Sequence, residues 1–311
     1  MSRNVACIYD FDLTLSEEYQ QFPILRKFAK EIERKHGLTR IEDYFNRLCG
    51  RQGIDIGVGA MQQILLDCQD IFTGITNESM KTVYAPQIQL SPGLPDWFPR
   101  TTSYAEQQGL DLEHHVVSAG FTPLIAGTII APYLTSIRSG TFLEGPAGLE
   151  KIKHIVDPNS KREEIIEICK GQDVHEDLSI DQYHLTYDNV IVFGDGQSDQ
   201  RKFNFIRERG GLAIGVYKKG DEQDLARAQR DLGGRVHYLV PRDYSAGTPL
   251  EEVVQQGLET MAKRTCTFDY RLIHALQRYH LRHPELTEVA SRHLEWCNDC
   301  QERSKPTQIL P

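Results

Sequence analysis

A short apolar run near the N-terminus, VACIYDF, lacks helical spacing and therefore predicts a buried β-strand. The following residues, 17–83, instead have apolar positions at helical spacing and contain no convincing strand. The first stretch of this block, EEYQQFPILRKFAKEIERKHG, ends on Gly37, which is typical of a helix terminus. The pattern thus predicts one strand followed by a block of helices.

Strands and helices alternate after a proline-marked boundary, YAPQIQLSPGLP. The predicted strands are LEHHVVSAG, SIRSGTFLE, NVIVFGDG, GLAIGVY and RVHYLV. The predicted helices are PDWFPRTTSYAEQQG, FTPLIAGTIIAPYL, SKREEIIEICKG and SDQRKFNFIRERGG, the third with a capping box between Ser160 and Glu163. Such alternation predicts βαβ units and an α/β fold, with a three-layer, doubly wound (Rossmann-like) parallel sheet at its core.

The pattern changes again over residues 247–311, where helical spacing returns in LEEVVQQGLETMAKR and YRLIHALQRYHLR. We expect a C-terminal helical extension here. Its histidines His280, His283 and His293 lie among Arg and Glu residues, which favours a solvated or packed helix face over a metal site. The lone C-x-x-C of Cys297 and Cys300 would leave a tetrahedral zinc site half filled, so a metal or redox role is not expected.

Composition narrows the class of protein. Of 311 residues, 40% are hydrophobic and 25% charged, as in globular proteins. The net charge of −9 argues against a broad nucleic-acid or anionic-membrane surface. No apolar stretch approaches the roughly 20 residues that span a bilayer. The N-terminus is a poor signal peptide, and seven dispersed cysteines are consistent with reduced thiols, so a cytoplasmic location is expected.

Polar residues stand at the ends of the predicted strands. Asp10 and Asp12 end the first strand, and two carboxylates held close together are costly unless a cation or a proton transfer uses them. The alternative is an exposed acidic turn. Ligands of doubly wound sheets bind outside the carboxyl ends of the strands, which favours a functional site. The other candidates are Ser118 in VVSAGF, Lys161 in the first turn of a helix, and Asp195 and Asp199 in GDGQSD.

Together these four motifs resemble the haloacid dehalogenase-like (HAD) superfamily: D-x-D-x-T, a Ser or Thr after the second strand, a Lys, and a G-D-x-x-x-D-type ending. The resemblance covers residues 4 to about 245. The phrases SPGLPDWF and GLDLEHHVVSAGF resemble the phosphoserine-phosphatase-like branch, in which a helical cap is inserted after the first motif. The resemblance implies a catalytic core of residues 1–16 and 84–246 and a cap of residues 17–83. Leu13 departs from the small residue that many members carry, and we expect no change in chemistry.

The resemblance also implies roles for the acids. Asp10 would be the nucleophile that forms an aspartyl phosphate, so that one hard step becomes two easier ones. Asp12 would be the general acid and base. A Mg²⁺ ion, which prefers oxygen ligands, would be held by Asp10, the backbone carbonyl of Asp12 and Asp195. Asp199 would contribute a ligand or orient one.

The phosphoryl oxygens would be held by Ser118, by backbone N–H groups near Ala119 and Gly120, and by Lys161. Helix N-termini favour anions, and a lysine there adds a compact cation. Lys151 or Lys153 could take the place of Lys161. Thr14 would support the loop or contact phosphate.

An acid at position 12 implies phosphate esters, because the dehalogenases and phosphonate hydrolases of the superfamily lack it. The prediction is a Mg²⁺-dependent phosphatase acting on a small phosphorylated metabolite, with Arg47 and Arg51 of the cap able to recognise a substrate carboxylate or phosphate. A phosphotransferase or phosphomutase of the superfamily is the alternative within the same class. A phosphorylatable receiver would need adjacent acids after the first strand and a chain less than half this long, and an idle binding scaffold would not need the full set of acids. The metabolite and the oligomeric state stay open.

Overall fold

Seven strands form one sheet in the computed structural model, which describes residues 3–49, 56–171, 175, 178 and 182–264. They are β1 (Arg3–Tyr9), β2 (Leu110–Phe121), β3 (Ser136–Gly145), β4 (Gly148–His154), β5 (Val190–Gly194), β6 (Leu212–Tyr217) and β7 (Tyr238–Pro241). The order across the sheet is β4-β3-β2-β1-β5-β6-β7. All neighbours are parallel except β3 and β4, which pair antiparallel. The predicted doubly wound α/β fold is therefore confirmed.

β1 occupies the topological switch point, because its neighbours β2 and β5 belong to the two halves of the sheet. Its residues from Val5 to Tyr9 are fully buried and divide between two cores by alternation. Val5, Cys7 and Tyr9 face one core and Ala6 and Ile8 face the other. A strand that is covered on both faces has apolar residues at consecutive positions, and VACIY could therefore be predicted as a buried strand from the sequence.

The α-helices are shorter than the sequence predicts. They are α1 (Phe22–Lys27), α2 (Ala29–His36), α3 (Ile56–Asp67), α4 (Asn77–Ser79), α5 (Trp97–Gln107), α6 (Thr122–Ala126), α7 (Lys161–Lys170), α8 (Gln200–Arg207), α9 (Glu222–Leu232) and α10 (Pro249–Lys263). The first predicted helix is in fact two, α1 and α2, separated at Phe28, and the second ends as predicted at Gly37, whose φ of 65° suits glycine.

Three further predictions about local structure are wrong. The helix over FTPLIAGTIIAPYL stops at Ala126, and a separate 3₁₀ turn, Ala131–Tyr133, follows. β4 has no counterpart among the predicted strands, because an exposed edge strand carries no apolar alternation. Ser160 precedes α7, but no capping box with Glu163 forms. Instead Asp157 Oδ1 accepts the N–H groups of Asn159 and Ser160, at 2.7 Å each.

Residues 17–83, hereafter the helical segment, contain α1 to α4 and two π-helical turns, Phe45–Cys49 and Met80–Tyr84, but no strand in their described part. The two ends of this excursion lie side by side. Ser16 and Leu90 form an antiparallel bridge, Glu17 N–H donates to the Gln89 carbonyl at 2.8 Å, and Ser91 N–H donates to the Leu15 carbonyl at 2.9 Å. The division into core, cap and extension stays a prediction.

α10 packs on the sheet, with Leu250, Val254 and Leu258 fully buried in the core that also contains Val5. The rest of the predicted extension, including its histidines and Cys297 and Cys300, lies outside the described residues. Within the described ranges, every helix is too short or too polar to cross a membrane.

The buried His114 of β2 predicts that the folded protein is less stable in acid. His114 contacts the Tyr9 hydroxyl and the Thr102 hydroxyl, both at 3.1 Å, and burial, aided by the charge of His115, lowers its pKa to about 3. Between pH 6.5 and about 3, His114 binds a proton in the unfolded chain but not in the folded chain. The free energy of unfolding therefore decreases as the pH is lowered. We expect this residue to cost up to about 1.4 kcal/mol of unfolding free energy per pH unit, or about 2 kcal/mol between pH 7 and pH 5.

Denaturant titrations of the wild type and His114→Asn at pH 7 and pH 5 measure the effect. The stability advantage of the wild type should shrink by this amount at the lower pH. Parallel losses in the two proteins would show that folding does not shift the pKa of His114.

Candidate active site

A cavity of about 550 Å³ opens where β1, β2 and β5 end. The part of the lining at the carboxyl ends of these strands, hereafter the inner end, consists of predicted site residues: Asp10, Asp12, Ser118 and Asp195. The outer end is lined by Tyr19, Phe45, Gly57 and Ala60 of the helical segment. Residues far apart in sequence therefore meet at the edge of the sheet where ligands of this architecture bind.

Asp10 is buried, and its two carboxylate oxygens have different partners. Oδ1 accepts the N–H of Phe11 at 2.8 Å, and Oδ2 accepts a hydrogen bond from the Lys161 ammonium at 2.8 Å. These two contacts fix the orientation of the Asp10 carboxyl group, which lines the cavity.

Asp12 is held by Gln20, a residue that no sequence motif indicated. The Gln20 N–H donates to Asp12 Oδ1 at 2.8 Å, and its side-chain amide lies 3.3 Å from both carboxylate oxygens. Burial and, after it, the charge of Asp10 raise the pKa of Asp12 to about 7, although Gln20 opposes the change. A carboxyl group with such a pKa can both give and take a proton near neutral pH.

Gln20 also connects Asp12 to the carboxyl end of β2. Its Oε1 accepts the N–H of Phe121 at 2.9 Å, and its amide packs against Gly120. A Cβ atom at position 120 would lie 1.7 Å from Gln20 Nε2, so a larger residue there would displace the Gln20 amide. Gln20 therefore ties the loop that bears Asp12 to the strand that bears Ser118.

Lys161 lies at the bottom of the site and is 1% exposed. Its ammonium donates to Asp10 Oδ2 and, at 2.9 Å, to Asp199 Oδ1. Burial alone would lower the pKa of Lys161, but these two carboxylates hold it above its usual value. Lys151 and Lys153, the alternatives considered for this position, are exposed on β4.

Asp199 is fully buried between two lysines, since Lys202 also contacts its Oδ1, at 2.7 Å. Burial opposes its ionisation, but Lys161 and Lys202 lower the pKa of Asp199 to about 2. The ammonium of Lys202 donates to the Phe193 carbonyl at 2.7 Å, which anchors the arrangement to β5. Lys202 was not predicted, because a lysine on a helix normally indicates a solvated face.

Three of the four predicted metal ligands cluster. Asp10, Asp195 and Asp199 each offer a carboxylate oxygen within 4.8 Å of the others. Asp199 Oδ2 is buried with no hydrogen-bond partner, and burial and the charge of Asp199 raise the pKa of Asp195 to about 8. An orphaned oxygen and an acid that resists ionisation are the features that a hard divalent cation would relieve, so this donor set fits Mg²⁺. The Asp12 carboxylate lies outside this cluster, and only its backbone carbonyl was predicted as a ligand.

Arg227 of α9 is a second residue that sequence reasoning missed. Its guanidinium donates to the carbonyl and to Oδ2 of Asp195, at 3.1 Å each, and to Asp224 at 2.8 Å. It therefore orients Asp195 at the inner end of the cavity. An arginine inside an amphipathic helix gives no local signal of this function.

The remaining predicted residues take different positions. Ser118 is buried, lines the cavity, and accepts the Gly120 N–H on its Oγ at 3.2 Å. Thr14 is buried beneath the loop with its hydroxyl unpartnered, while its carbonyl accepts a hydrogen bond from Ser91 at 3.1 Å.

Leu13 has a φ of 57°, a left-handed conformation that is unfavourable for leucine. Arg47 is exposed and is not among the residues that line the cavity, and Arg51 lies outside the described residues.

Comparisons with known proteins bear on the fold. No protein family model matches the chain, and no curated protein matches it significantly. A solved structure of a substrate-bound phosphoserine phosphatase aligns with a TM-score of 0.53 at 14% identity, over 82% of this chain and 99% of that one. A HAD family hydrolase from Salmonella enterica subsp. enterica serovar Typhi aligns with a TM-score of 0.52 at 16% identity, over 77% of this chain and 67% of that one. The predicted fold is thus confirmed: the chain is similar in fold to a phosphoserine phosphatase and to a HAD family hydrolase.

Proposed function

We propose that the protein is a Mg²⁺-dependent phosphatase that hydrolyses a phosphate monoester of a small molecule through an aspartyl phosphate on Asp10. One observation carries the proposal: the Asp10 carboxylate, fixed by Lys161, shares a cavity with Asp12 and Asp195 and forms an acid cluster with Asp195 and Asp199. This combination provides a nucleophile, a proton carrier and a cation-binding group within one small space.

In the first step, an oxygen of Asp10 bonds to phosphorus as the bond from phosphorus to the alcohol oxygen breaks. Asp12, in its protonated form, gives its proton to that departing oxygen. Lys161, which contacts Asp10, and Ser118, which lines the cavity, would hold the phosphoryl oxygens, which gain charge in the transition state.

In the second step, Asp12, now a carboxylate, takes a proton from water as the water oxygen bonds to phosphorus. The bond between phosphorus and Asp10 breaks, and inorganic phosphate and the free carboxylate are formed. The same residue serves as acid and then as base, which its pKa near 7 suits.

The cation site would be formed by Asp10, Asp195 and the backbone carbonyl of Asp12, with Asp199 contributing or orienting a ligand. A bound Mg²⁺ supplies positive charge beside the phosphoryl oxygens. Arg227 holds Asp195 in position, and the two lysines hold Asp199.

Removal of the metal tests the proposal. A chelator should abolish hydrolysis of an aryl phosphate, and added Mg²⁺ should restore it. Asp195→Asn should raise the Mg²⁺ concentration needed for half-maximal rate, because one anionic ligand is lost while the cavity keeps its shape. Mg²⁺ should also raise the melting temperature of the wild type more than that of the variant, since a ligand stabilises the state that binds it.

Asp111→Asn, which alters an exposed aspartate of β2 away from the cavity, is the matched control and should behave as the wild type. Full activity in excess chelator would contradict the proposed metal dependence.

A further inference from the structure

The outer wall of the cavity differs in chemistry from its inner end. Tyr19, Phe45, Gly57 and Ala60 line it, whereas acids line the inner end. Phe45 is almost completely buried, but Tyr19 remains 41% exposed although it lines the cavity. Tyr19 therefore presents aromatic surface at the position where the alcohol part of a phosphate ester would lie.

The Tyr19 ring is held in place by two phenylalanines. Its centroid lies 5.6 Å from that of Phe22, in an edge-to-face contact, and 5.5 Å from that of Phe45. Phe22 and Phe45 are themselves stacked, with centroids 6.3 Å apart. We call these three residues the aromatic wall. Because the ring is packed on one side, a ligand that stacks on it orders few additional groups.

The charges of the cavity disfavour an acidic alcohol part. Among the described residues that line the cavity, Arg227 is the sole cation, and it is bonded to Asp195 and Asp224. Asp231 adds a further acid to the lining. Among the described residues, a substrate with a second carboxylate would therefore meet acids and an arginine that is already paired.

Resting on the phosphatase function proposed above, we infer that the substrate is the phosphate ester of an uncharged alcohol whose aromatic ring packs on the aromatic wall. The inner acids and Lys161 take the phosphoryl group, and Tyr19 and Phe45 take the ring. An amino-acid ester such as phosphoserine, with its free carboxylate, fits this wall less well.

Three alkyl esters test the inference: 2-phenylethyl phosphate, n-butyl phosphate and O-phosphoserine. In all three esters the leaving group is an alkyl alcohol of similar leaving ability. Differences in kcat/KM therefore report mainly on the contacts that the alcohol part makes with the protein. We expect 2-phenylethyl phosphate to exceed n-butyl phosphate by about tenfold, the size of one favourable aromatic contact, and O-phosphoserine to be the poorest.

Variants of Tyr19 identify the contact. Tyr19→Ala should lower kcat/KM for 2-phenylethyl phosphate more than for n-butyl phosphate, so that the ratio between the two esters falls from about tenfold towards one, whereas Tyr19→Phe should retain the ratio. The matched control is Tyr133→Ala, which removes a tyrosine of similar exposure, 42%, that stacks on Phe98 outside the cavity. The control should keep the preference of the wild type.

The outcomes separate this inference from the proposed function. Faster turnover of O-phosphoserine than of 2-phenylethyl phosphate, or a preference that survives Tyr19→Ala, would overturn the aromatic site and leave the phosphatase intact. If the protein with Mg²⁺ hydrolyses none of the three alkyl esters and no aryl phosphate, the phosphatase function is overturned, and the inference with it.

Discussion

Asp10→Asn should turn over no phosphate ester, whatever its leaving group. The amide is a far weaker nucleophile than the carboxylate, so the covalent route through position 10 is closed. The fold should persist, because Lys161 keeps its hydrogen bond to Asp199 at 2.9 Å when the Asp10 charge is removed. Steady-state assays with an aryl phosphate and with alkyl phosphates measure the loss, and thermal unfolding checks the fold.

Two controls sharpen this result. Asp111→Asn repeats the chemical change at an exposed position of β2 and should be fully active. Asp10→Ala cannot revert to aspartate by deamidation, so steady turnover by this variant would mean that another residue is the nucleophile.

Asp12→Asn should release one burst of phenol from an aryl phosphate and then stall. An aryl oxide leaves with little protonation, so Asp10 can still be phosphorylated. Hydrolysis of the aspartyl phosphate requires an activated water whatever the leaving group was, and loss of a general base typically slows such a step by a factor of about 10² to 10⁴. With alkyl esters, which need the proton in the first step too, no burst should appear.

Intact-mass measurement shortly after mixing should show one added phosphoryl group on Asp12→Asn. The double variant Asp10→Ala with Asp12→Asn should show neither the burst nor the added mass. Steady turnover by Asp12→Asn without a burst would assign the proton transfers to another residue.

The parts of the fold that could be predicted are those whose signal is local. VACIY and NVIVF are covered on both faces, so each appears as an uninterrupted apolar run. Because parallel strands place their carboxyl ends at one edge, the acids after these runs could be brought together in advance: Asp10, Asp12 and Asp195. Lys161 was identified by its place at a helix N-terminus, and its ammonium indeed lies 2.8 Å from Asp10.

The parts that could not be predicted depend on contacts between distant residues. Gln20 bonds the backbone of Phe121, which is 101 residues away, and nothing near Gln20 in the sequence distinguishes it from the glutamine beside it. Arg227 looks like any charged residue of an amphipathic helix until the fold places it 3.1 Å from Asp195. β4 escaped detection for a related reason: an edge strand is stabilised by its partner β3 and carries no apolar alternation of its own.

The bridge between Ser16 and Leu90 has a consequence for the evolution of the fold. Everything from Glu17 to Gln89 leaves the core and returns to it at adjacent points, so the length of this excursion is independent of the register between β1 and β2. The entropy of closing a longer loop grows only with the logarithm of its length. Insertions or deletions between these two points therefore leave the register of β1 and β2 unchanged, and as long as Gln20 keeps its hold on Asp12, new substrate contacts can arise there while the acids at the sheet edge keep their places.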